Sequence, residues 1–465
     1  MHCADGSGSA IQRDGRAKDG SSLWLYHNRG DMAVPTVSGP GGDARPITLL
    51  PEQCCKDLGC PPCDFRRRYK GYLTDSAFPV IEGVVSISAS LLPAKRPLLS
   101  ASAAEWRRWM IERGHPTYRA RQVLNWVINR RLKSFEPMSD LPKLLRQELD
   151  AEWLAFATRI AYHGVAPDGT DKLVLECHDG RRIECVLMAE ESRRTVCVST
   201  QVGCGIGCVF CASGLKGVER NLSTDEIFEQ VLHLRNLLPP EDTVTHIVVM
   251  GMGESLANLD NLIPALDRLC SADEGLGISQ RRVTISTVGL PEKIMKLAAL
   301  DRQYHLAVSL HAPTEALRNT LVPVNERIGL NAVLTAADAY FERTGRQVTY
   351  EYVLLRGIND RSTDAHALTR LLANRRAHVN LIPYNPVAGL PFERPDPESV
   401  RRFTMILRDG SVSVTVRKTK GRAIDAACGQ LRRRLDQIPS DNHMPDLTRR
   451  FHSDSEIDPE TIATQ

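Results

Sequence analysis

Between residues 220 and 420, short apolar runs alternate with stretches in which apolar residues recur every three or four positions. The runs at 244–250, 282–287, 305–310, 348–355, 378–383 and 412–417 read as buried strands. The stretches near 258–270, 291–300, 331–343, 362–375 and 399–409 read as amphipathic helices. Ser223-x-x-Glu226 is a capping box and predicts a further helix running to Leu238. Repeated strand-then-helix units require a parallel sheet. Adding Val196-Cys197-Val198-Ser199 gives about seven strands, so an open, partial α/β barrel is expected in place of a closed eightfold one. Ligand sites in such folds lie at the C-terminal ends of the strands.

Upstream the pattern changes. Lys172–Cys177 and Arg182–Leu187 alternate around His178-Asp179-Gly180, and Asp-Gly signals a hairpin, so 155–195 is expected to be a β-rich connector. In 102–153, Trp106, Trp109 and Met110, then Val123, Leu124, Trp126, Val127 and Leu132, recur at helical spacing. Pro116 separates two helices and Leu141-Pro142 opens a third. These predict a small helical domain over 98–154, with the barrel over 196–435. Residues 1–97 are rich in Gly, Ser, Pro and Asp without periodicity, which predicts a poorly ordered extension. The polar, acidic stretch 436–465 is expected to be a disordered tail.

The net charge over 465 residues is only +3, but it is unevenly placed. From Trp106 to Phe135 there are eight Arg or Lys against one Glu. Such a module suits a phosphate backbone, although an ordinary solvated helical face can carry the same excess. No run is long and apolar enough for a transmembrane helix and no secretion signal is visible, so a cytoplasmic protein without membrane contact is expected. Thirteen cysteines in such a chain argue for metal or redox use over a disulfide framework. Cys54, Cys55, Cys60 and Cys63 have zinc-knuckle spacing but no His partner, and metal binding there stays open.

The densest chemistry lies in Gln201-Val202-Gly203-Cys204-Gly205-Ile206-Gly207-Cys208-Val209-Phe210-Cys211. Three thiolates at Cys-x3-Cys-x2-Cys spacing can hold three irons of a [4Fe–4S] cluster and leave the fourth open to a substrate. A zinc site would want a fourth ligand nearby, and the next stretch of chain offers none. Four further groups fall at the expected strand ends: Gly251-Met252-Gly253-Glu254, Ser286-Thr287, Ser309-Leu310-His311 and Tyr384-Asn385-Pro386. Glu254 suits an amino group, the hydroxyls a carboxylate, and Asn385 a ribose or adenine. Cys197, before the loop, and Cys428, after the last strand, would on composition alone be buried small hydrophobes.

These stretches resemble the RlmN/Cfr family of radical S-adenosylmethionine (SAM) RNA adenosine methyltransferases over roughly residues 100–435. The resemblance rests on Tyr118–Leu124, Cys197–Cys204, Met250–Glu254, Ile285–Gly289, Ser309–Pro313, Tyr384–Pro386, Val416–Gly421 and, most discriminating, Ala426-Ala427-Cys428-Gly429-Gln430. It implies that Cys204, Cys208 and Cys211 ligate one [4Fe–4S] cluster. By the same resemblance Gly253, Glu254, Ser286, Ser309, Leu310, His311 and Asn385 surround SAM, of which two molecules serve each turnover. Cys428 would carry the methyl group, Cys197 would be its disulfide-forming partner, and Glu184 would be the base. The implied reaction is methylation of adenine C2 in 23S rRNA and tRNA by a monomeric enzyme that draws electrons from a flavodoxin or ferredoxin. Ser255-Leu256-Ala257-Asn258 is closer to the Cfr branch, whereas Gln201-Val202-Gly203 and Arg417-Lys418-Thr419 are closer to the RlmN branch. Cfr-like methylation at C8 is therefore the alternative. A radical SAM enzyme acting on a protein or small molecule, and a non-enzymatic RNA-binding protein retaining the fold, are the rivals.

Overall fold

The computed structural model describes residues 95–431 and the backbone of four short strands between Ala10 and Pro46. The chain divides into two compact units, 1–88 and 89–465. In the first, β1 (Ala10–Ile11), β2 (Leu23–Asn28), β3 (Asp31–Ser38) and β4 (Ala44–Pro46) pair antiparallel in that order. The group Cys54, Cys55, Cys60 and Cys63 and the tail 436–465 lie outside the described residues.

The second unit opens with β5 (Arg96–Pro97) and three helices, α1 (Ala103–Glu112), α2 (Tyr118–Ile128) and α3 (Lys143–Glu152), closed by β6 (Trp153–Leu154). Ser102 and Glu105 form a reciprocal capping box that starts α1. Trp106 stacks on Trp153 with ring centroids 4.4 Å apart, and Trp109 meets both rings edge-on. Aromatic pairs of this kind contribute about 0.5–1.5 kcal/mol beyond the area they bury. The Trp106 indole N–H donates to the Leu98 carbonyl, so the polar end of the ring is satisfied inside the core.

Two sets of contacts seat the helical module on the α/β portion of the unit. Arg131, at φ 60°, donates to the carbonyls of Leu238, Pro239, Pro240 and Asp242. Among the basic residues of the module, Arg131 is therefore a fastener, and Arg119 likewise donates to Gln122 and to the Asp140 carbonyl. Arg108 and Arg121 stay exposed, as does Arg130, whose guanidinium lies 4.0 Å over the Trp126 ring. Deeper in, fully buried Glu229 accepts the backbone N–H groups of Ala157 and Thr158 and the Thr158 hydroxyl, which also bonds His233 Nε2 at 3.0 Å.

β7 (Arg159–Val165), β8 (Thr170–Glu176) and β9 (Arg182–Ala189) are an antiparallel meander, and β9 pairs antiparallel with β10 (Arg194–Cys197). A separate hairpin, β11 (Gln201–Gly203) with β12 (Val218–Asn221), frames the three-cysteine loop. From β10 onward every pairing in the main sheet is parallel, through β13 (His246–Val249), β14 (Val283–Thr287), β15 (His305–Ser309), β16 (Val348–Leu354), β17 (Ala377–Pro383) and β18 (Ser413–Val416). The ten strands of that sheet run in the order β18-β17-β16-β15-β14-β13-β10-β9-β8-β7. β7 and β18 are not paired with each other, so the barrel is open, as expected. The connecting helices are α4 (Thr224–Arg235), α5 (Leu259–Cys270), α6 (Pro291–Ala299), α7 (Glu315–Leu321), α8 (Asn325–Ile328), α9 (Leu330–Thr344), α10 (Ser362–Leu372) and α11 (Pro397–Asp409).

Side chains alternate across a strand, so register assigns each one to a face. Ile183, Cys185, Leu187, Val196, Ile247, Val249, Ile285, Val308, Tyr350, Val379 and Val414 belong to the continuous core that also contains the buried faces of the helices. The opposite, inner face carries the polar residues. Lys172 and Cys197 both stand opposite Val186, and Glu184 lies two positions before Val186. Farther along, Ser309, Glu351, Asn380 and Thr415 form one row across four strands. This division, one face closed by apolar packing and one left polar, places the site.

Candidate active site

The hairpin of β11 and β12 holds the ends of the cysteine loop together, with Cys204 N–H donating to the Gly217 carbonyl at 3.0 Å. Gly203 and Gly207 adopt φ of 81° and 72°, where a side chain would strain the turn. Cys211 N–H donates to the Cys208 carbonyl, and Phe210 packs edge-on against His311 with centroids 4.9 Å apart. Burial pushes all three thiols up, Cys204 to about 11, and Cys208 is raised further by Cys211 and Cys204. Three close thiols that resist ionisation suit a strongly cationic centre, because metal ligation is what deprotonates such groups. Among the described residues no three His, Cys, Asp or Glu converge as ligands of a single ion would. A cluster asks for something else, since each thiolate takes a different iron. The loop therefore offers three thiolates, one for each of three irons of a [4Fe–4S] group.

The other predicted residues come to the same end of the sheet. Gly253 has φ 104°, and a Cβ there would fall 2.7 Å from Gln201 Cβ and 2.8 Å from its backbone nitrogen. Glu254 is buried, which raises its carboxyl, and its oxygens accept from Leu256 N–H at 3.0 Å and Val288 N–H at 2.8 Å. Ser286 and Ser309 sit half-buried on the inner face of β14 and β15. Leu310 is fully buried behind them. His311 has φ 59° and accepts Val353 N–H at Nδ1, so Nε2 carries its proton. Burial, with help from the Arg318 guanidinium, holds this imidazole down at about 3, hence neutral. Asn385 places its amide 3.5 Å from the Cys428 carbonyl and accepts from Arg394.

Cys428 itself is half-buried and packs with the apolar group around Phe210, Ala212 and Tyr384. Its loop is pinned on several sides: Ala212 N–H donates to the Gly429 carbonyl, Ser213 Oγ to the Leu431 carbonyl, and Gln430 to the Pro386 carbonyl. The inner-face residues Val186 and Cys197, with Met252 of the loop after β13, pack against Ala426 and Leu431 of the same loop. Burial and then the nearby Cys428 push the Cys197 thiol up to about 12, and Arg417 partly opposes this. All eight described cysteines are free thiols. The disulfide expected between Cys197 and Cys428 is therefore absent from this structure, although the two lie close enough to influence each other.

The sequence reading missed four residues that hold this arrangement. Fully buried Arg318 on α7 donates to the carbonyls of Val288, Ser309 and Leu310, tying two strand ends together. Arg417 places Nη1 3.6 Å from Met250 Sδ, and its guanidinium pKa is raised further by the acidic groups around it, Glu351 among them. Asp168 and Lys172, in and beside the β7–β8 turn, bond the loop that leads to Cys428. A lysine on a strand buried on both faces was the one available signal, because such a charge needs a partner.

Two family matches cover most of the second unit. Residues 198–368 match the Radical SAM superfamily, and 97–154 match the ribosomal RNA large subunit methyltransferase N-terminal domain. A protein of Rhodopirellula baltica named probable dual-specificity RNA methyltransferase RlmN is 50% identical over 351 residues, which are 76% of this chain and 94% of that one. The chain belongs to the RlmN family. A protein of Opitutus terrae named probable dual-specificity RNA methyltransferase RlmN 3 is 44% identical over 361 residues, covering 74% of this chain and 96% of its own. The crystal structure of a radical SAM methyltransferase from Sphaerobacter thermophilus superposes with a TM-score of 0.70 at 41% identity, over 72% of this chain and 99% of that one. The RlmN family thus accounts for both the open α/β barrel and the helical module, and membership in the radical SAM superfamily implies a [4Fe–4S] cluster and SAM. Among the described residues no helix is long and apolar enough to cross a membrane.

Proposed function

We propose that this RlmN-family chain methylates C2 of adenine in 23S rRNA and in tRNA, and that the methyl group travels on Cys428. The observation that carries the reading is the shared inner face: register puts Glu184 and Cys197 on the side of the sheet against which the Cys428 loop packs. A [4Fe–4S] cluster on Cys204, Cys208 and Cys211, with SAM beside Gly253, Glu254, Ser286, Ser309, Leu310, His311 and Asn385, would supply the radical that takes hydrogen from the S-methyl group and would recover one electron from the adduct. The remaining work falls to the chain. Adenine C2 is electrophilic, so the carbon must arrive joined to a protein sulfur and not as a cation. Glu184 then removes the ring proton. The Cys197 thiolate attacks Sγ of Cys428, the S–C bond breaks, its electron pair and a proton go to the carbon, and a Cys197–Cys428 disulfide is left for cellular thiols to reduce. Burial holds the Cys197 thiol up at about 12, so it rests as a neutral thiol and gives up its proton as it attacks.

Cfr-like methylation at C8 is the alternative, and the residues that resemble the Cfr branch hold backbone in this structure. Ser255 Oγ donates to the Val249 carbonyl, and Asn258 donates to the carbonyls of Thr200 and Leu222. A flavodoxin or ferredoxin as electron donor, action as a monomer and a cytoplasmic location complete the proposal. Its test is a pair of substitutions. Cys428→Ala has no carrier and yields neither product nor adduct. Cys197→Ala forms the carbon–carbon bond but cannot release it, and accumulates protein covalently joined to RNA, seen as a nuclease-sensitive shift on a denaturing gel. Normal turnover by Cys197→Ala, or product methylated at C8 by mass spectrometry of nucleosides, would overturn the reading.

A further inference from the structure

Lys172 is only 5% exposed on β8, so its ammonium is largely removed from water. A buried ammonium costs several kcal/mol unless it is paired. Two partners account for it. Its Nζ stands 3.6 Å from Glu184 Oε2 on the neighbouring strand. The same Nζ is 3.4 Å from the backbone carbonyl of Asp425, which has φ 51° and lies three residues before Cys428. Register explains the first contact: Val174 faces Glu184 and Lys172 faces Val186, so Lys172 and Glu184 are diagonal neighbours on the inner face. A residue needed only to fill this place would be apolar, as Val174 and Val186 are.

We infer that Lys172 is a positioning residue that couples the base to the methyl carrier, one ammonium holding the Glu184 carboxylate and the Asp425 carbonyl together. The inference rests on the proposed roles of Glu184 and Cys428. Its positive charge favours the ionised carboxylate, the only form that can take a proton. Its second contact fixes the loop segment leading to Cys428, so the acceptor of the proton and the sulfur bearing the carbon share one reference point. The β7–β8 turn supports this from the other end of the segment, since Asp168 accepts Gly421 N–H. Lys172 touches neither RNA nor SAM in this role and acts through Glu184.

The test uses full-length, anaerobically reconstituted protein with SAM and RNA. Lys172→Gln, which keeps a donor near the Asp425 carbonyl but removes the charge, and Lys172→Met are compared with Glu184→Gln. Cys428 S-methylation is read by intact-protein mass spectrometry and the protein–RNA adduct on a denaturing gel. The expectation is that both Lys172 variants methylate Cys428, lose turnover by roughly 100-fold as loss of a general base does, and accumulate adduct to at least half the Glu184→Gln level. Lys172→Arg should restore most of the turnover. Wild-type turnover in Lys172→Gln, or lost turnover without adduct while Glu184→Gln traps it, overturns the inference. Loss of iron and of Cys428 methylation in both variants makes Lys172 a structural residue and overturns it as well. Normal turnover by Glu184→Gln would instead show that the base assignment has failed, and the inference would fall with it.

Discussion

The carboxylate of Asp168 accepts the backbone N–H of Gly421 at 2.8 Å, joining residues 253 positions apart. The other carboxylate oxygen accepts Thr170 N–H at 3.1 Å. Burial pushes this carboxyl up, but the Gly421 and Thr170 donors outweigh it and hold the pKa below the ordinary value. The contribution is therefore present above about pH 4 and lost as pH falls through the lowered pKa. Asp168→Ala should lower the local opening free energy of 421–431 by about 1–2 kcal/mol. Hydrogen exchange across that segment should accelerate roughly tenfold, while exchange in β14 and β15 stays unchanged.

The Glu229–Thr158–His233 group predicts a pH dependence. Burial pushes Glu229 up to about 8 and holds His233 down at about 4. Between about pH 4.5 and 6.5 the folded state keeps a proton on Glu229 while the unfolded chain keeps one on histidine, so the two effects cancel. Above 6.5 the unfolded chain has lost its proton and the folded state has not. Stability should then fall by about 2 kcal/mol up to pH 8. Urea titrations at both pH values check this, and Glu229→Gln should flatten the slope.

Basic residues of the helical module should separate into two classes. Arg131→Ala removes the donors to four carbonyls and should destabilise the protein by about 2–3 kcal/mol. Arg108, Arg121 and Arg130 are exposed. Changing those three to Gln should leave the melting temperature in place, weaken RNA binding, and reduce the slope of log affinity against log salt by about 2 to 3. An unchanged slope would make this helical face a solvated surface only.

Gly253 offers a steric prediction. Its positive φ and the nearness of Gln201 leave no place for a methyl group. Gly253→Ala should displace Gln201, whose side-chain oxygen accepts Glu254 N–H at 2.9 Å. SAM affinity, measured by calorimetry on the reconstituted protein, should drop at least tenfold.

What could be read from the chain was what short spacing encodes. The parallel strands showed as apolar runs because each sends alternate side chains into one continuous core, although β18 is largely exposed. The Ser223/Glu226 box and the Asp179-Gly180 turn are local devices, and both are present. β7 lay within the β-rich 155–195 but was not singled out, because Arg159–Val165 is half-exposed along most of its length and shows no clean alternation. α7 and α8 escaped because seven and four residues are too few for a helical period. The three cysteines and the strand-end groups are each contiguous in sequence. Arg318, Lys172 and Asp168 are not recognisable alone, because each acquires its meaning from a partner carbonyl, carboxylate or N–H brought in by the fold. For Lys172 and Asp425 that separation is 253 positions.

The unpaired outer strands have a mechanical consequence. β7 and β18 are joined by no ladder, but the β7–β8 turn and the loop after β18 meet through Asp168–Gly421 and Lys172–Asp425. The barrel is thus a split ring held by a clasp. Releasing that clasp forfeits two hydrogen bonds, about 3–6 kcal/mol when both involve charged groups. Unzipping β17 from β18 would break a continuous ladder over four register pairs. A ring built this way yields first at its seam, and the seam lies beside the loop that carries Cys428.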